Sequence, residues 1–134
     1  MDYLIIFHHE PIGKLVEPRA DFGQGIVGGR FIPLPAYKNI QSVFRAYAQF
    51  ISAELKSGQR DEKRMSHYSQ ERDTITSELS ITTLEGLPVE TVGIDIDDFS
   101  EQLGVEGYEA HFVVATREFF DNVFLWDRRE VKEN

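Results

Sequence analysis

Cysteine is absent from the chain, which excludes disulfides, thiolate metal centres and a cysteine nucleophile together. Small secreted domains lean on disulfides, so the absence points to a reducing compartment and predicts a cytoplasmic protein. Long apolar runs are missing too. Tyr3-Leu-Ile-Ile-Phe7 gives five apolar residues before His8, His9 and Glu10, too short and too weakly basic for a secretory leader. No stretch approaches the eighteen or so apolar residues of a membrane span, so a soluble chain with no membrane partner is expected.

The most informative absence is of positive charge. Between Asp73 and Thr116 there are ten carboxylates and no lysine or arginine. Residues 1–50 balance five basic against four acidic side chains, so the net charge of −9 belongs to the C-terminal half. Phosphate contacts need cations, which argues against direct nucleic-acid binding by that half. A basic protein partner is the complementary expectation, because opposite potentials steer encounter. The competing explanation is that carboxylates keep a small protein soluble.

What is present suits one folded unit. A chain of 134 residues, 41% of them apolar, has material for a single core and little room for two. Residues 1–134 are therefore expected to form one domain, with an undecided polar segment over 59–77 and a frayed tail over 127–134. Tyr3–Phe7 reads as a short strand closed by Pro11, and Lys14–Val16 as a second ended by Pro18. Gly23–Gly29 reads as a turn or bulged strand, and Arg30–Leu34 as extended chain ahead of Pro33 and Pro35. A long helix opens at Pro35 or Ala36. Ile40, Phe44, Tyr47, Ile51 and Leu55 form its stripe, and Gly58 stops it.

Further strands are expected at Leu79–Thr83, at Val92/Ile94/Ile96, and at Tyr108–Ala115. The first two should form a hairpin about Gly86-Leu87-Pro88, with one dry face and one acidic face. Asp98 with Glu101 fits a capping box before a one-turn helix ended by Gly104. Phe119, Phe120, Val123 and Phe124 have helical spacing behind Thr116, and Leu125 with Trp126 either covers the core edge or anchors a partner. The expected class is α+β: an antiparallel sheet of about five strands with one long helix packed on one face.

Local motifs fail on context. Gly23-Gln-Gly25-Ile-Val-Gly28 spells the dinucleotide pattern, but Gly29-Arg-Phe-Ile-Pro33 cannot open the helix that would carry a pyrophosphate. Asp21-Phe22-Gly23 spells a kinase tripeptide in a chain too short for a kinase. Asp95, Asp97 and Glu106 take positions one, three and twelve of a calcium loop, yet Phe99 and Ser100 occupy positions five and six. His8, His9, Glu10 and His111 offer imidazole without a spacing that identifies three metal ligands. No cofactor or metal site is expected.

Two functions follow as expectations. The first is a small binding or inhibitor protein that uses Glu78–Glu109 against a basic partner. Toxin-neutralising immunity proteins and nucleic-acid mimics share that charge and size. Asp95, Asp97, Asp98, Glu101 and Glu106 would make the contacts. The alternative is a divalent-metal-dependent hydrolase built on Asp95 and Asp97 with a histidine such as His111, or else a non-catalytic assembly subunit. Whether the chain is an enzyme is open at this stage, with the balance toward a binder.

Overall fold

The computed structural model describes residues 2–21 and 23–115. The expected helix after Thr116, the Leu125–Trp126 edge and the 127–134 tail lie outside them.

Among the described residues six antiparallel strands form one sheet: β1 (Tyr3–Phe7), β2 (Glu10–Asp21), β3 (Ile26–Pro33), β4 (Leu79–Thr83), β5 (Thr91–Asp98) and β6 (Tyr108–Val114). Their spatial order is β4-β1-β2-β3-β6-β5. Among the described residues three helices accompany them: α1 (Gln41–Ser57), α2 (Glu62–Thr76) and the one-turn α3 (Ser100–Leu103). The α+β class holds: there is one strand more than expected, the expected one-turn helix is α3, and the undecided segment supplies a second long helix.

The extra extent of β2 has a physical cause. Pro11 and Pro18 are expected to end strands, since proline donates no ladder hydrogen bond. Both instead sit where the ladder is already interrupted. Register slips between Ile5 and Ile6 opposite Pro11, and again between Val16 and Arg19. At the second bulge Glu17 has φ +53°. Gly29 faces it from β3, where a Cβ would lie 2.7 Å from the Val16 carbonyl oxygen. The glycines therefore admit a bulge rather than a pyrophosphate. Another surprise is the β1–β2 turn, made by His8 and His9 with φ +50° and +67°. Two positive φ values suit the twist of a two-residue hairpin.

The expected β4–β5 hairpin does not form. β4 pairs with β1 and β5 pairs with β6, at opposite ends of the strand order. After the Gly86 turn the chain does return along β4, with Thr83 N–H donating to Leu87 and Val89 N–H to Ile81. That return is only a bridge long (Thr82 to Pro88). The chain then departs for β6, and Ala115 N–H donates to Glu90. β4 and β5 nonetheless lie close together, so the sheet curls around its core.

That core joins Tyr3, Ile5, Leu15, Val27, Phe31, Ile81, Ile96 and Phe112 to Tyr37, Ile40 and Phe44. Tyr37 comes from a 3-10 turn over Pro35–Asn39 that precedes α1, so the α-helix starts at Gln41 rather than at Pro35 or Ala36. Burying a side chain such as Phe44 contributes about 2 kcal/mol, and such terms fix α1 on the sheet. Its stripe runs out early: Leu55 is 80% exposed.

The undecided segment is α2. Asp61 caps it by accepting from Arg64 N–H at 3.1 Å. None of its residues is fully buried; Met65, Tyr68, Arg72 and Ile75, three or four apart, are half-buried. Its attachments are correspondingly specific: Tyr68 packs on Phe50 at 4.9 Å between ring centroids, and Ile75 packs against the core. No helix among the described residues is long and apolar enough to cross a membrane.

Candidate functional site

The cation-free stretch contains β5, β6 and the nine residues that link them. Alternation puts Ile94, Ile96 and Asp98 of β5 on the core face, and Asp95 and Asp97 on the other. Val92, expected on the dry face, is instead exposed at a register shift between Thr91 and Gly93.

Asp98 was expected at an exposed cap, as a partner contact. It is 2% exposed. Its Oδ2 accepts from Tyr37 Oη at 2.7 Å and from Gln41 Nε2 at 3.3 Å. Its Oδ1 accepts from Ser100 N–H at 3.0 Å and from the Ser100 hydroxyl at 2.5 Å. Arg45 Nε lies 3.9 Å away. A buried carboxylate persists when donors saturate it, and here the donors come from α1, the turn before it and α3. The Tyr37 phenol is pushed far above its ordinary range, first by burial and then by its hydrogen bond to Asp98. Asp98 thus acts as the pin beneath the β5–β6 connection rather than as part of its surface. The reciprocal half of the capping box is missing, because Glu101 turns to Gln49 and Arg45 of α1.

Above this pin stands a lobe made of α3 and a 3-10 turn over Gly104–Gly107. Phe99 N–H donates to Gly107 across its neck at 2.9 Å. A Cβ on Gly107 would meet the Phe99 carbonyl oxygen at 2.4 Å, and Gly104 has φ +67°. Leu103 and Val105 project from the lobe at 65% and 79% exposure. Exposed Glu101 and Glu106 flank them, with Glu109 following on β6. A groove of about 510 Å³ adjoins the lobe, lined by Arg19, Arg30, Glu106, Tyr108 and Glu109 over a floor of Gly28 and Gly29.

The other two expected contacts, Asp95 and Asp97, already have a cation. Arg72 of α2 donates from Nε to Asp95 Oδ1 at 2.7 Å and from Nη2 to Asp95 Oδ2, with Nη2 also 3.5 Å from Asp97 Oδ1. Its guanidinium carbon lies 4.2 Å from the Tyr47 ring centroid. Asp95 Oδ1 further accepts from Ile96 N–H at 2.9 Å. The Asp97 carboxyl is held above the usual carboxylate range by burial and then by Asp95, with Arg72 and His111 pulling the other way. His111 Nδ1 is 3.8 Å from Asp97 Oδ2.

The five expected residues thus divide into three settings: Asp98 within the interior, Asp95 and Asp97 under Arg72, Glu101 and Glu106 on the lobe. The histidines do not converge, since His8 pairs with Glu78 at the far hairpin. Among the described residues no group of three or more His, Asp or Glu side chains is arranged to hold a metal ion. Sequence reasoning missed Tyr37, Gln41 and Arg45, whose roles exist only across the fold. It missed Arg72 as well, although Arg72 is the last lysine or arginine before the cation-free stretch. Leu103 and Val105 were visible as apolar residues among acids but carried no periodicity.

No protein-family model, no curated protein and no solved structure matches the chain.

Proposed function

We propose that this is a small cytoplasmic binding protein of the inhibitor type, comparable in its action to immunity proteins, whose acidic C-terminal half engages a basic protein partner. The observation that carries the reading is the 99–107 lobe. Two bare apolar side chains stand between carboxylates on a connection whose base is pinned by a buried Asp98. Leu103 and Val105 lie two residues apart on one short lobe, and an apolar centre with a charged rim is how protein interfaces concentrate affinity. The pin lowers the ordering cost of association, because the lobe is already shaped.

The carboxylates and the apolar pair have separable effects. Glu101→Lys with Glu106→Lys slows association and flattens its salt dependence, because rim charges act through steering. Leu103→Ala and Val105→Ala each raise Kd about tenfold through faster dissociation. The test is capture of the tagged protein's partner from source lysate at low and high salt, followed by surface-plasmon-resonance kinetics of these variants against the captured protein. An association rate indifferent to both salt and charge reversal sinks the acidic-face reading. Unchanged dissociation for both alanine variants removes the lobe from it.

A further inference from the structure

We propose that Asp95, Asp97 and the Tyr47 ring form a receptor for a guanidinium group, filled here by the protein's own Arg72 and open to exchange with an arginine of the partner. The partner as source of that arginine rests on the preceding reading; the receptor itself does not.

Three features make the receptor more than two acids on a strand. Asp95 is approached by two nitrogens of one guanidinium while Asp97 takes a longer contact to the same Nη2, a forked geometry that a lysine ammonium lacks. The Tyr47 ring lies under the guanidinium carbon, and planar stacking favours arginine again. Asp95 is also fixed by the Ile96 amide, so the acceptor is oriented whether or not Arg72 is present. The Arg72 side chain is 11% exposed, whereas both carboxylates remain partly exposed. A second guanidinium can therefore approach before the first departs.

The helix that carries the occupant is lightly buried. α2 has no fully buried residue, and its apolar ties are the half-buried Met65, Tyr68 and Ile75. Segments with little apolar burial open at low free-energy cost. Arg72 in place masks two of the carboxylates that a basic partner would meet, and its departure adds them to the acidic face of the lobe.

Methylguanidinium at low millimolar concentration is the probe, with methylammonium at equal ionic strength as control. Arg72→Ala should bind methylguanidinium, with amide NMR shifts confined to β5 and Tyr47. Its melting temperature should rise on the order of 5 °C at tenfold excess over Kd. Methylammonium should do neither, and the wild-type chain should ignore both. If Arg72→Ala does not fold, Arg72→Gln keeps the stem over Tyr47 and serves in its place. No shift with a folded variant, or equal shifts with methylammonium, overturns the receptor. In partner capture, Arg72→Ala should survive a higher salt wash than wild type; equal survival overturns the exchange and leaves the lobe reading standing.

Discussion

Asp97 shows how one residue's surroundings set a pH dependence. Its carboxyl titrates above the usual range because burial and Asp95 oppose ionisation more than Arg72 and His111 favour it. A raised carboxyl pKa means that the folded state holds the proton more tightly than the unfolded chain does. The associated stability is complete below the ordinary aspartate pKa and is lost as pH rises through the folded-state value. Asp97→Asn removes this titration. Its stability relative to wild type should therefore be more favourable at pH 7 than at pH 4, measured by urea unfolding at both. A difference that is constant with pH would show that Arg72 already neutralises the site. None of this was legible in the sequence, where Asp95 and Asp97 are two polar residues in an alternating run. Their partner Arg72 is more than twenty positions away, in a helix with no apolar stripe to announce its facing.

At the scale of elements, the legible parts were those with strong local periodicity. Ile40 just ahead of α1, Phe44 within it and the Ile94/Ile96 alternation lie where the pattern put them. Pairing was not legible, because alternation specifies a face and not a neighbour. Leu79–Thr83 and Ile94–Ile96 each found a partner outside the expected hairpin, since Tyr3–Phe7 and Tyr108–Val114 offer longer ladders than the short return at Pro88. Glycine provides a direct test of the connection between β5 and β6. Gly107→Ala drives a Cβ against backbone atoms of Phe99 and Ser100 at 2.4 to 2.9 Å, which no rotamer relieves. It should cost about 3 kcal/mol and abolish the lobe's protection in hydrogen exchange. Gly93→Ala, on β5 with nothing within 4 Å, should instead stabilise by about 0.5 kcal/mol through the unfolded chain. Equal costs in denaturant melts would mean that the lobe's neck is not close-packed.

For the whole molecule, one charge distribution has two consequences of opposite sign. A net charge of −9 disfavours the compact state through self-repulsion, and salt relieves it. The Debye length falls from about 30 Å at 0.01 M to about 8 Å at 0.15 M, from roughly the width of a small domain to well within it. Most carboxylate pairs across the curled sheet are then screened, whereas the part-buried Arg72–Asp95 contact is screened much less. Raising sodium chloride over that range should increase the unfolding free energy on the order of 1 kcal/mol, read from chemical denaturation with a neutral denaturant. The same increase should slow association with a basic partner, because the carboxylates flanking Leu103 and Val105 lose their reach. Stability that rose while association slowed would locate the acidic surplus on the outside of a sound fold, serving recognition at some cost to folding. A stability that fell with salt would instead mean that ion pairs such as Arg72 with Asp95 and Asp97 outweigh the repulsion, and that the acidic half is principally a structural network.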